Sequence, residues 1–275
     1  MEKQLTLYPS RKKLYYTVSG AGIPVMLVHG FGEDGSIWEN QRKKLEESFK
    51  VIIPDIPGSG KSELLSEGSM ETYAAALDQV IIEEKLSSFV MIGHSMGGYI
   101  ALAYAETYGS KLTGLGLFHS SGYADDEEKV ETRQKGIRFI RDNGAAKFLE
   151  QTIPGLFSEK TKTENPALVQ EIISRYTNFE AESLVQYYES MIARPDRTKV
   201  LADSKVPVLF ILGKFDNAVP LNKGLEQTHL PDICYIHICK HSGHMGMLEE
   251  TSESNEVLKS FIGKSGRPQV LRQIE

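Results

Sequence analysis

Short, nearly unbroken apolar runs alternate with amphipathic stretches along most of this chain. The runs lie at 25–28, 51–53, 89–92, 115–118, 206–212 and 233–238. Continuous rather than alternating apolar character is what parallel strands covered on both faces require. Helical periodicity fills the gaps at 37–49, 73–85 and 98–108, so strand and helix follow one another as in a doubly wound α/β sheet. At the start, segments 3–7 and 14–18 flank Pro9-Ser10 and read as a hairpin on one edge of that sheet. The rhythm breaks at 122–204, which is helical throughout, with helices expected at 125–143, 145–152, 166–177 and 182–193. Pro154-Gly155, Asn165-Pro166 and Arg194-Pro195 punctuate it. A stretch this long is an insertion between two strands rather than a connection. From Gly263 onward the chain is polar, and with Gly266 and Pro268 it is expected to fray. No internal repeat or low-complexity tract is evident.

One junction carries chemistry. The run at 89–92 leads into Gly93-His94-Ser95-Met96-Gly97-Gly98 and then into an alanine-rich helix. A serine on a sharp strand-to-helix turn is exposed on a strained backbone, and only small flanking residues let strand and helix come so close. Gly93, Gly97 and Gly98 fill those places, and the helix N-terminus favours developing negative charge. Five residues of this pattern alone could be a glycine turn with an incidental serine; the strand before and the helix after favour Ser95 as a nucleophile.

A serine hydroxyl needs a base in contact and donors for an oxyanion. On such a turn the partners follow in the order acid, then histidine. Asp216, just past the run at 206–212, is the candidate acid, although Asp-Asn is also ordinary turn chemistry. Two histidines compete for the base. His244 follows Gly243 and opens a helical stretch at 245–258, so it can reach back over the sheet edge; His241 stands nearer the strand and reads as a neighbouring loop residue. His237 falls inside the strand and is expected to pack in the core. The backbone N–H groups of Met96 and of Phe31, in the turn His29-Gly30-Phe31-Gly32, are the candidate oxyanion donors.

Composition narrows the class of partner. The chain has 275 residues, with 40% hydrophobic and 25% charged, an ordinary globular balance. A formal net charge of −6 makes no electrostatic case for nucleic acid or an anionic membrane, which leaves a small-molecule substrate, with a homo-oligomer left open. The chain has no apolar run of the ~20 residues a membrane helix needs, nor the layout of a signal peptide at Met1–Thr6, so a cytoplasmic protein is expected. Cys234 and Cys239 lie five apart on one strand and face opposite sides, so they are expected to be unbridged, buried thiols, with no CxxC pair to suggest a metal or redox site. Neither a metal nor a cofactor is expected. Gly58-Ser59-Gly60-Lys61-Ser62 resembles the end of a phosphate-binding loop, but Asp55 stands where that loop requires glycine.

Taken together, His29–Gly32, the segment 55–62, Gly93–Gly98, Asp216 and His244 occur in the order of the α/β-hydrolase superfamily. Over about residues 14–262 the chain resembles its group of carboxylesterases, proline iminopeptidases and cofactor-free haloperoxidases. The resemblance implies an eight-stranded, mostly parallel sheet with helices on both faces. It also implies a hydrolase core from 1–121 and 205–275, and a helical cap at 122–204 after the sixth strand. The activity implied is that of a serine hydrolase on a small ester or related carbonyl. The same triad also supports carbon–carbon bond hydrolysis, lyase or perhydrolase chemistry, and the fold can serve as a small-molecule receptor. Dehalogenases and epoxide hydrolases carry aspartate where this chain has Ser95. Aromatic residues of the cap (Tyr123, Phe139, Phe148, Phe157, Tyr187 and Tyr188) are candidates for an acyl pocket, though such spacing more often serves packing. No acidic cluster marks a site for a substrate amine.

Overall fold

The computed structural model describes residues 1–266, and its strands form a single sheet. They are β1 (Glu2–Thr6), β2 (Lys13–Ser19), β3 (Ile23–Val28), β4 (Phe49–Pro54), β5 (Phe89–His94), β6 (Leu112–Phe118), β7 (Val208–Gly213) and β8 (Cys234–Cys239). Their order is β1-β2-β4-β3-β5-β6-β7-β8. Both pairings of β2 are antiparallel and the remaining five are parallel.

Side chains alternate across the sheet and so build two cores. From β3, Met26 and Val28 face one side, with Met91 of β5 and Phe210 of β7; Val25 and Leu27 face the other, with Ile92 and Ile211. The first side is covered by α2 (Met70–Glu83) and α3 (Met96–Tyr108), through Leu77, Val80, Ile100 and Tyr104. The second is covered by α1 (Glu39–Leu45) and α12 (Thr251–Ser265), through Leu45, Leu258 and Phe261. Chain order reverses at β3, which has β4 on one side and β5 on the other. In open sheets of this kind ligands bind beyond the carboxyl ends of the strands at such a point.

Between β6 and β7 the chain is helical: α4 (Glu127–Asn143), α5 (Ala145–Thr152), α6 (Glu159–Glu164), α7 (Pro166–Tyr176), α8 (Ala181–Ala193) and α9 (Thr198–Ala202). These helices form a cap, whose Phe148, Leu149, Leu184 and Val185 join the second core. Two of them, α6 and α9, escape the periodicity: α6 buries no residue and α9 only Leu201, so neither has an apolar stripe to read. Two further short helices among the described residues are α10 (Leu221–Leu225) and α11 (Gly246–Glu249). Among the described residues no helix is long and apolar enough to cross a membrane.

The structure corrects several boundaries. The helix expected over 37–49 is a 3-10 turn at Gly35–Trp38 followed by α1, because Phe49 already pairs with Ile23 in the sheet. Helix α2 starts at Met70 rather than at 73, where Ser69 and Thr72 form a reciprocal capping box. The helix expected over 245–258 is broken at Glu250, whose carboxylate accepts from the Lys240 and His241 N–H groups and the Ser242 hydroxyl. Gly263 does not begin a frayed tail, since α12 runs to Ser265; Pro268 lies outside the described residues. As the edge strand, β8 is only half covered, so His237 is half-buried rather than a core residue. Cys234 is likewise only partly buried, while Cys239 is buried, and both are free thiols.

Candidate active site

Ser95 sits between β5 and α3 with φ 51° and ψ −117°, a left-handed conformation unusual for a residue with a side chain. Three hydrogen bonds hold it there. Its N–H donates to Phe118 O at 2.9 Å, and its carbonyl accepts from Gly98 N–H at 2.9 Å and from the Ser120 hydroxyl at 2.7 Å. The turn requires its glycines through close approach. A Cβ on Gly93 would stand 2.2 Å from Gly97 O, and one on Gly97 would stand 2.4 Å from Val28 O. Strain of ~1–3 kcal/mol at such a residue is retained where the surroundings over-determine it.

The turn after β3 passes directly against the serine, for a Cβ on Gly30 would lie 3.2 Å from Ser95 Cβ. Its His29 is buried, and the ring Nε2 accepts from Ile56 N–H at 2.9 Å, which anchors this turn to the one after β4. That second turn is structural: the Asp55 carboxylate accepts from the Gly35 and Lys61 N–H groups. Met96 is the first residue of α3, so its N–H is one of the orphan donors of a helix start. Among the described residues neither the Phe31 nor the Met96 N–H has a protein acceptor.

Asp216 follows β7, and its side chain is fully buried. Oδ1 accepts from the Ala218 and Val219 N–H groups, both at 2.8 Å. Oδ2 lies 2.8 Å from His244 Nδ1 and 3.1 Å from His119 Nδ1. Burial alone would raise this carboxyl pKa, but the two imidazoles and their hydrogen bonds outweigh it and hold the group far below the usual carboxylate range. The carboxylate places the His244 proton on Nδ1, leaving Nε2 as an acceptor. His241, by contrast, is exposed, its N–H bonded to Glu250.

His119 was not singled out by sequence. It follows β6 with φ 49° and is fully buried; its Nε2 accepts from Gly246 N–H at 3.2 Å, so its Nδ1–H donates to Asp216. Burial, set against the Asp216 contact, lowers its pKa to about 4 and keeps it neutral. His119, Asp216 and His244 are close enough together to be considered as metal ligands. Their hydrogen bonds account for the arrangement without an ion, because both Asp216 oxygens and both His119 nitrogens already have partners.

Known proteins share this architecture. A family model described as the alpha/beta hydrolase fold matches residues 23–127. An esterase from Thermogutta terrifontis, solved with malate bound, superposes with a TM-score of 0.91 at 28% identity, over 97% of this chain and all of that one. The chain has the α/β-hydrolase fold. By sequence the chain is 27% identical over 267 residues to a 2-hydroxy-6-oxononadienedioate/2-hydroxy-6-oxononatrienedioate hydrolase of Paraburkholderia phymatum, covering 92% of this chain and 91% of that one. It is also 27% identical over 256 residues to a pimeloyl-[acyl-carrier protein] methyl ester esterase of Vibrio cholerae, covering 90% and 97%.

Beneath Ser95 lies a second couple, also unmarked in the sequence. Glu33 Oε2 accepts from Gly30 N–H at 2.7 Å and lies 3.0 Å from His94 Nδ1, while His94 Nε2 donates to the His244 carbonyl at 3.0 Å. One buried pair thus ties together the turn after β3, the serine turn and the histidine loop. Burial would raise the Glu33 pKa and lower that of His94, but each partner outweighs it, so Glu33 is lowered and His94 raised. The couple is an imidazolium–carboxylate pair. Its lowered carboxyl stabilises the fold above the unfolded glutamate pKa, and that contribution is lost as pH falls through the folded value. Its raised histidine stabilises below the unfolded histidine pKa, and that contribution is lost as pH rises through the folded value. The shared window lies at about pH 5–6.5. Glu33→Ala strands a buried cation and is expected to cost about 3–5 kcal/mol, a fall in Tm on the order of 10 °C. Thermal melts across pH check this: the deficit should be largest in that window, and a deficit unchanged at acidic and alkaline pH would refute the ion pair.

Ser95, His94 and His244 line one cavity of about 130 Å³ under the cap, with Tyr188, Arg133 and Met191 above them. A second cavity of about 90 Å³ adjoins it, lined by Leu149, Ile153 and Ile172. Phe31 and Tyr188 line both, stacked with ring centroids 4.2 Å apart and planes 10° from parallel. Of the six cap aromatics raised by the sequence, Tyr188 alone lines these cavities; Phe148, Phe157 and Tyr187 are buried in packing. A larger groove of about 690 Å³ lies between β1 and α2 and brings no histidine or serine together.

Proposed function

We propose that the protein hydrolyses small carboxylic esters through a covalent acyl-enzyme, with Ser95 as nucleophile, His244 as base and Asp216 as the group orienting it. The observation that carries this reading is the convergence of a strained serine and a carboxylate-bound histidine on one small cavity. His244 Nε2 takes the Ser95 proton as Oγ attacks the carbonyl carbon. Negative charge then collects on the carbonyl oxygen, and the N–H groups of Phe31 and Met96 are the donors offered to it. Collapse expels the alcohol, protonated by His244. Water repeats the cycle on the acyl-serine and releases the acid.

The size of the cavities sets the expected substrate. An enclosed space of ~150 Å³ takes a benzene-sized group, so acyl chains of about four to six carbons fill what lies beside Ser95. Across p-nitrophenyl esters from acetate to laurate, kcat/KM is expected to peak in that range and to fall at least roughly ten-fold by laurate. Amide and lactone controls should turn over more slowly. A protein inert toward every ester would contradict the proposal.

A second reading has a specific support. The Paraburkholderia phymatum relative is a hydrolase of an oxo-dienedioate, a compound whose name carries no ester, so its hydrolysis breaks a carbon–carbon bond. Turnover of vinylogous diketones with no turnover of esters would favour that chemistry here.

A further inference from the structure

The cap brings a guanidinium to the Ser95 cavity with part of its hydrogen-bonding edge left over. Arg133 of α4 lines this cavity, its guanidinium 5.5 Å from the centroid of the Tyr188 ring. Its Nε and Nη2 donate to the buried Asp125 carboxylate at 2.5 and 3.2 Å. Nη1 has no acceptor among the described residues. Asp125 is shared, because Arg194 Nη2 lies 2.9 Å from its Oδ1. Arg194 is otherwise engaged, donating to the Met191 and Tyr123 carbonyls and lying 3.8 Å above the Tyr99 ring. One turn before Arg133, on the same face of α4, Lys129 Nζ donates to the carbonyl of Ala218, another residue of the cavity wall, at 2.8 Å. Among the described residues Lys129 makes no ion pair. The other acids near the cavity are committed, Glu33 to His94 and Asp216 to His244 and His119. Asp125 therefore serves two guanidinium groups, Arg133 and Arg194, and leaves an edge of Arg133 without an acceptor among the described residues.

We propose that Arg133, supported by Lys129, is a carboxylate-binding subsite, and that the natural substrates are esters whose acyl chain ends in a carboxylate, the half-esters of short dicarboxylic acids. A planar guanidinium with a free edge is suited to a carboxylate, and the bond is charge-assisted. Within the enclosed cavity the attraction is screened less than at the surface. Hydrolysis adds one water across the acyl–oxygen bond and releases the alcohol and the dicarboxylate. Stacked Phe31 and Tyr188, which line both cavities, lead to the second, mostly apolar cavity for the uncharged end.

This inference rests on the reading of Ser95 as nucleophile, and the test separates the two. Mono-p-nitrophenyl glutarate and p-nitrophenyl pentanoate have acyl chains of equal length and differ in the terminal carboxylate. The wild type should prefer the glutarate by roughly ten-fold or more in kcat/KM, and Arg133→Gln should bring that ratio to about one, with Arg133→Lys between them. Equal rates in the wild type, or a ratio untouched in Arg133→Gln, would overturn the subsite while leaving the role of Ser95 standing. Loss of the whole reaction scheme would show instead as pentanoate hydrolysis that survives Ser95→Ala. Should Arg133→Gln fail to fold, inhibition of the wild type decides: glutarate should compete with pentanoate hydrolysis at concentrations where 1,5-pentanediol does not. Equal inhibition by both, or by neither, would contradict the proposal.

Discussion

Ser95→Ala is expected to lower kcat for p-nitrophenyl butyrate by roughly 10⁴- to 10⁶-fold while leaving the thermal melt within a few degrees of wild type. The two halves of this expectation have separate causes. The serine hydroxyl makes no hydrogen bond within the protein among the described residues, so its loss leaves no polar partner stranded. The bonds that hold the turn come from the Ser95 backbone, to Phe118, Gly98 and Ser120, and alanine keeps them. Alanine also has the same difficulty as serine at φ 51°, so the strain neither grows nor disappears. What goes is the atom proposed to attack. The remaining activity should be that of the Phe31 and Met96 N–H groups acting on water, about 10³-fold above the uncatalysed rate. A variant that folds and retains more than a tenth of wild-type turnover would remove Ser95 from the reaction.

Asp216→Asn is expected to cost about 10³- to 10⁴-fold in kcat, again without loss of the fold. The asparagine oxygen can take the place of Oδ1 and go on accepting from the Ala218 and Val219 N–H groups. Its amino group then points where Oδ2 accepted from His244 and His119. A donor in that place requires His244 Nδ1 to accept, which moves the ring proton to Nε2, the atom proposed to receive the Ser95 proton. Stability should fall as well, since the neutral side chain no longer compensates its burial by pairing with two imidazoles. The check is kcat/KM for p-nitrophenyl butyrate with the circular dichroism spectrum alongside. Activity within ten-fold of wild type would mean that the Asp216–His244 contact does not set the tautomer.

What could be read from the chain follows from how locally each feature is written. The serine turn is contiguous: strand, glycines, serine and helix stand in one segment, and the close contacts of Gly93 and Gly97 explain why those glycines are there. Asp216 and His244 were legible for a related reason, since each follows a strand whose apolar run is unmistakable. The Glu33–His94 pair was not legible, because two ordinary polar residues became a buried ion pair only when β3 and β5 came side by side. His119 was hidden in the same way, its left-handed φ being unmarked by glycine and its carboxylate partner lying 97 residues away. Arg133 belongs to a helix whose residues are mostly exposed, and only the folded cap shows that this guanidinium turns inward over Ser95. In β8 the error ran the other way: an apolar run implied two covered faces, while its position at the sheet edge leaves Ile236 half exposed.

The claim that Ser95 attacks the substrate carbonyl is tested most directly by trapping it. A fluorophosphonate reacts with an activated serine and stays attached, so intact-protein mass spectrometry followed by peptide mapping both counts and locates the adduct. The account predicts a single adduct per chain, on the peptide bearing Ser95, and no adduct in Ser95→Ala. An unlabelled wild-type protein, or an adduct on any other residue, would contradict it.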